Sequence, residues 1–591
     1  MRPIPLALLS AALLLPLPFT ADAQPSGGGL QQAQSSRPGG RQLASISLTG
    51  RYLAGRVAEQ DHDYDSAADQ LDLALAQSPG DLDLAFSAFR MRIYAGRIDA
   101  AAQLAPQVLL AKPNDGFLNL VLAIQHIKRG DFRAAEQQLG RIGGDNQLGP
   151  LRDFVVAWLK AGQKDFTAAR AAIGRLRPDG AGAQAQAPIV VIDAQIDEMA
   201  GDKAAAETKY RRAVDLDPSA MRVVMTAADG LRRLGKADDA RAILKAFGDK
   251  YGDSVVMDGA LAANAPMPRP PSPASGIAEI MFEIGSALNA DPRSMRSDLG
   301  LIFENFAVEL RPDHDFAWLT IAGIYESWGN SNKALAAYNK VGQVSPLYWQ
   351  ARLRAAALDA QEERFDSAVR RLKVLVAEKP DRIDAALTLA DLQRSKEKYP
   401  DAVATYDLAI QRIKNVEERH WPVLFGRGIV LERTKQWPKA EADMKKALEL
   451  SPEQPYVLNY LGYSWIDQGL NLDAGMKMLK RATELRPDDG AITDSVGWAY
   501  YRLGQYDKAV EWLERASEQK GEDATVVEHL GDAYWHVGRK REARFQWSRA
   551  LNQKPEKDRI PIILDKISNG LSAVNDKPTV YEKAAEKKQG G

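Results

Sequence analysis

The chain has 591 residues, 45% of them apolar, with 77 Lys+Arg against 78 Asp+Glu and a formal net charge of −1. That length exceeds what one hydrophobic core sustains, about 250–300 residues, so several domains or an elongated array are required. The charge balance argues against nucleic acid as the main partner, and the zero cysteines exclude disulfides, thiolate metal sites, a Cys nucleophile and a lipidated N-terminal Cys.

Arg2 opens a segment laid out for export. An apolar run from Leu6 to Phe19 follows, and Ala21-Asp22-Ala23 sets small residues two apart. The run is shorter than the ~20 residues that span a bilayer and contains Pro16 and Pro18, so a cleaved signal peptide (1–23) is expected rather than an anchor. No later stretch is apolar enough to cross a membrane. The expected product is periplasmic and not a lipoprotein. Residues 24–47, rich in Gln, Gly and Ser, read as a flexible leader.

From residue 48 a small residue recurs at Ala67, Ala101, Ala135, Ala169, Ala206, Ala240, Gly300, Ala334, Ala368, Ala402, Ala440, Ala474, Ala509 and Ala543, and nine of the thirteen steps are 34 residues. Twelve residues earlier another small residue keeps step, from Gly55 and Ala123 to Gly497 and Gly531. Four residues later the side chain is usually large, as at Leu71, Tyr210, Tyr406, Leu513 and Trp547. Proline often follows at twelve, as at Pro79, Pro218 and Pro452. Two antiparallel helices approach closely where both are small, the large residue one turn on fills the groove, and proline stops the second helix. The spacing predicts an all-α array of about fourteen helical hairpins.

Ala265-Pro-Met-Pro-Arg-Pro-Pro-Ser-Pro273 interrupts the step and forbids a helix. The expected organisation is a six-repeat block (48–251), a Pro-rich linker (252–275) and an eight-repeat block (276–555). The first unit after the linker is degenerate, with Gly300 for the anchor Ala and Glu304 for the large apolar residue. Ile560, Ile563, Leu564 and Ile567 then predict a helix capping the open end (556–575), before a disordered tail (576–591).

The pattern resembles the tetratricopeptide repeat (TPR) family, most clearly in Asn459-Tyr-Leu-Gly-Tyr-Ser-Trp465 and Asp494-Ser-Val-Gly-Trp-Ala-Tyr500. The resemblance implies an α-solenoid coiled as a right-handed superhelix, with first helices lining a concave protein-binding face. The residues it places there are Tyr456, Asn459, Tyr463, Asp494, Trp498, Tyr501, Glu528, Asp532, Trp535 and His536, while Tyr500 and Tyr534 are expected inside. Aromatic rings beside carboxylates and amides are a usual protein-binding composition. The Lys/Asn/Arg clamp with which chaperone-binding TPR domains grip a terminal carboxylate is missing at the matching positions.

No phosphate loop, nucleophile elbow or HExxH stands in the sequence, and His529, Asp532 and His536 read as a groove stripe rather than a metal site. No cofactor, metal or enzymatic activity is expected. The segment 489–551, with Glu528-His-Leu-Gly-Asp-Ala-Tyr-Trp535, also looks like the last repeats of Gram-negative envelope TPR proteins. That group includes adaptors of carboxyl-terminal processing proteases. The likeness implies a scaffold presenting substrates to an envelope protease; the alternative is a scaffold for exopolysaccharide secretion or outer-membrane assembly.

Overall fold

The computed structural model describes residues 47–572, except 114, 143–148, 177–181, 252–259, 262–266, 290–296 and 381. The expected signal peptide and nearly all of the leader and tail lie outside the described residues, as does much of the linker.

Among the described residues the chain is helical and forms no strand. The first six hairpins are α1 (Leu48–Gln60) with α2 (Tyr64–Gln77), α3 (Leu82–Tyr94) with α4 (Ile98–Gln103) and α5 (Ala105–Ala111), α6 (Gly116–Lys128) with α7 (Phe132–Gly140), α8 (Gly149–Gly162) with α9 (Phe166–Arg175), α10 (Ala183–Ala200) with α11 (Lys203–Leu216), and α12 (Met221–Arg233) with α13 (Ala237–Tyr251). Pro106 splits the second hairpin's return helix into α4 and α5. After the proline segment come α14 (Pro273–Asn289) with α15 (Ser297–Leu310), α16 (Asp315–Ser327) with α17 (Ser331–Tyr338), and α18 (Tyr348–Gln361) with α19 (Phe365–Glu378). The last hairpins are α20 (Asp384–Ser395) with α21 (Tyr399–Arg412), α22 (Trp421–Arg433) with α23 (Trp437–Leu450), α24 (Pro455–Gln468) with α25 (Leu472–Leu485), α26 (Gly490–Arg502) with α27 (Tyr506–Gln519), and α28 (Ala524–His536) with α29 (Lys540–Asn552). A final helix, α30 (Arg559–Asn569), packs on α29.

Local chemistry explains the punctuation. Asp63, Asp131, Asp165 and Asp202 cap second helices by accepting the N3 amide hydrogen, at 3.1 Å from Ala134 to Asp131, for example. The turn before each cap takes a positive φ, supplied by Gly130 and, less comfortably, by Lys164 at φ 64°. The anchor alanines are fully buried from Ala67 to Ala543, with one exception. In the hairpin α24–α25 the buried anchor is Gly475, and Ala474 is exposed. The turn Gly469-Leu470-Asn471 holds one extra residue, with Asn471 at φ 42°, which shifts the register by one.

Gly475 and Gly462 face each other so closely that a Cβ on Gly462 would stand 2.8 Å from the Gly475 carbonyl oxygen. Gly462→Ala is therefore expected to cost about 1–3 kcal/mol by chemical denaturation, since a backbone atom has nowhere to move. Ala474→Leu, one residue from the contact, is expected to stay within about 0.5 kcal/mol of the parent. The reverse ranking would restore Ala474 as the anchor.

The chain divides into compact units of residues 1–368 and 369–591, a boundary inside α19 rather than at the Pro-rich linker. The reason is that α14 and α15, beyond the linker, pack against α3, α6 and α8. One buried apolar cluster consequently runs from Tyr64 to Leu358 in the first unit.

Candidate functional site

In the second unit, first helices α24, α26 and α28 lie side by side, so their inward residues meet across neighbouring repeats. Trp498 stacks between two rings: Tyr501 at 4.4 Å and 5°, and His529 at 3.8 Å and 15°. His529 Nδ1 donates to the Asp494 carboxylate at 3.0 Å. Tyr501 meets His536 and Tyr506 edge-on, and His536 stacks on Tyr506 at 4.0 Å. A ladder of rings thus locks the α26–α27 hairpin to α28.

The carboxylates at the far end are occupied by α30. Lys566, 1% exposed, donates to Glu528 at 2.7 Å and to both oxygens of Asp532 at 2.7 and 2.8 Å. Arg559 also holds Glu528, and Trp547 Nε1 donates to Asp532 at 2.8 Å. Burial pushes Glu528 up, but Lys566 and Arg559 outweigh it and hold that carboxyl below its ordinary value. At fully enclosed Asp532 burial prevails, aided by Glu528, and the carboxyl is pushed up despite Lys566.

Between α26, α28 and α30 opens a cleft of about 830 Å³, with Tyr463, Trp498 and His529 on one side and Arg559, Asp565 and Lys566 on the other. Exposed Glu522, Thr525 and Glu556 stand at its rim. Of the ten sequence-predicted residues, Tyr463, Trp498, Glu528 and Asp532 line this cleft. Asp494, Tyr501 and His536 are engaged within the ring ladder. Trp535 lies against Gly570, Trp547 and the Arg544 guanidinium, beneath the chain that follows α30. Tyr456 is exposed and Asn459 half-buried, both outside the cleft lining. Tyr500 and Tyr534 are buried.

Sequence reading missed His529 as the second face of the Trp498 stack, and it missed Lys566. A signal for Lys566 existed: it stands among Ile563 and Ile567 on the apolar face of α30, where a lone cation needs buried anions. His529, Asp532 and His536 diverge to different partners, and among the described residues no group of three His, Asp or Glu is gathered to hold a metal. What faces the cleft are ring edges, carboxylates, hydroxyls and the cations Lys554 and Arg559, a surface suited to recognition.

Residues 497–538 match the family described as TPR repeat, and residues 317–346 that described as tetratricopeptide repeat. Over these two segments the hairpins match TPR repeats, and TPR proteins serve as protein-binding scaffolds. Over 192 residues the chain is 28% identical to the TPR repeat-containing protein PA4667 of Pseudomonas aeruginosa, covering 32% of each chain. Over 115 residues it is 27% identical to BBSome complex member BBS4 of Bos taurus, covering 19% of this chain and 21% of that one. The chain thus spans about a third or less of these relatives. A crystal structure of a tetratricopeptide repeat protein from Parabacteroides merdae is similar at 15% identity and a TM-score of 0.37, over 43% of this chain and 99% of that one.

Proposed function

We propose that this protein is a non-enzymatic scaffold exported to the bacterial cell envelope, where it holds a partner on the first-helix face of its second unit and presents substrates to a periplasmic carboxyl-terminal processing protease. The observation that carries the binding reading is the cleft of about 830 Å³ walled by Tyr463, Trp498 and His529. Its rings are held rigid by stacking and its walls are set by α30, so a partner meets a preformed surface and little ordering is required. Export rests on the Leu6–Phe19 run before Ala21-Asp22-Ala23.

Affinity purification of the full chain from an envelope fraction tests both parts. Recovery of a protease, with its substrates accumulating when the gene is deleted, is the expected result. Recovery of a porin or a polysaccharide synthase would replace the protease reading by one of secretion or assembly. Glu522→Lys together with Thr525→Lys, both at the exposed rim, is expected to leave the unfolding free energy within the ~0.5 kcal/mol typical of surface changes. Capture of the partner should fall at least about tenfold, the effect of ~1.4 kcal/mol. Undiminished capture would move the binding face away from this cleft.

A further inference from the structure

The inner face of the first repeats already has an occupant. Gly276 of α14 lies on the Trp158 ring of α8 so closely that any Cβ there would fall far inside contact distance. Asn305 of α15 donates to the carbonyl oxygens of Tyr94 and Ile93, at 3.0 and 3.3 Å, where α3 ends. Glu309 pairs with Lys128 of α6, and Phe303 meets Phe117 of the same helix at 6.4 Å. These contacts reach across about 120 to 210 residues of sequence, as a bound helical pair would make them.

The interior of this pair is polar at the position where other hairpins place a large apolar residue. Glu304 there is 0% exposed. Its Oε1 accepts from Ser286 Oγ at 3.2 Å, and its Oε2 is buried with no hydrogen-bond partner. An ionised carboxylate in that place would be uncompensated, whereas a protonated one is tolerated.

We propose that α14–α15 is an internal ligand of the N-terminal repeats, seated while the Glu304 carboxyl keeps its proton and released when that proton is lost.

The charged groups around Glu304 agree with this assignment. Glu279 and Glu283 face it from α14. Arg222 of α12 and Arg311 are both bound to Glu279, beside His314 and Asp229. Towards α4 and α6 stand Asp99 and Lys128 with Glu309, and at the α1–α2 turn His62 with Asp298. Burial pushes Glu304 well above the ordinary carboxyl range and Glu283 up to about 7, and it pulls His314 down to about 4. For both glutamates the stabilisation is complete below the unfolded carboxyl's value, about 4.3, and is lost as pH rises through the folded one. His314 acts in the opposite sense, losing stabilisation as pH falls from about 6.5 to 4, so from neutral pH upward the dependence comes from the two glutamates, and the Glu304 variants separate its share from that of Glu283.

Hydrogen exchange of the full chain at pH 7, 7.75 and 8.5, with labelling times scaled for the intrinsic rate, reads the opening of residues 273–310. Opening is expected to rise with pH across this window, with α1–α13 lagging behind. Glu304→Gln and Glu304→Leu should each flatten that dependence; the leucine restores the apolar residue usual at this position and carries the test if the glutamine variant does not fold. A pH-independent opening, an unchanged slope in the variants, or α1–α13 opening in step with 273–310 would overturn the proposal.

Discussion

Lys566→Met is expected to lower the stability of the second unit by about 3–5 kcal/mol, because it leaves Glu528 and Asp532 buried without their common cation. Arg559 remains on Glu528, so the deficit concentrates on Asp532, which keeps the Trp547 indole hydrogen. Local loss should precede global unfolding: α30 covers the end of the array, and repeat arrays depend on such caps. Hydrogen exchange should show α30 and α29 opening first. A control separates charge from packing. The triple variant Lys566→Met, Glu528→Gln, Asp532→Asn removes the charges together while keeping shape and an acceptor for Trp547, and should recover most of the loss, since replacing a whole buried ionic group is often neutral. If Lys566→Met alone melts like the parent, the lysine is not what docks α30.

The array was legible in the sequence because its determinant is local and repeated. Two small residues twelve apart with a large one four further on decide how one hairpin closes, whatever its neighbours do. Gly531 against Trp547 and Gly497 against Leu513 show why: a Cβ at these glycines would fall 2.5 and 2.6 Å from the facing side chain. The one slip in register is local too. Ala474 and Gly475 are adjacent small residues, and only the left-handed turn at Asn471 decides between them.

The candidate site was legible only in part. Trp498 and Tyr463 were found because first-helix register places them, but what stacks on Trp498 or pairs with Glu528 comes from other elements, and register is silent about that. The seating of α14–α15 was illegible for a stronger reason. Asn305 finds Tyr94 211 residues away, and nothing in a 34-residue period encodes a contact of that range. The proline segment was read as a divider on composition, yet chain stiffness alone does not decide where the next helices pack.

Trp158→Ala is expected to cost about 3–5 kcal/mol of the first unit's stability, the range for emptying a fully buried aromatic site. The ring is covered from beyond the linker by a glycine, Gly276, so the void opens directly onto α14. Gly276→Leu in the parent should also destabilise, by about 1–3 kcal/mol, because the new side chain is driven into the indole. Combined, the two changes should compensate. The leucine enters the space the indole leaves, and replacing a helical glycine recovers up to about 1 kcal/mol of propensity. A double-mutant cycle by urea denaturation is therefore expected to give a coupling of about 2–3 kcal/mol, near the upper end for residues in contact. Additive losses would mean that α14 does not rest on α8, and the N-terminal repeats would then present an open inner face.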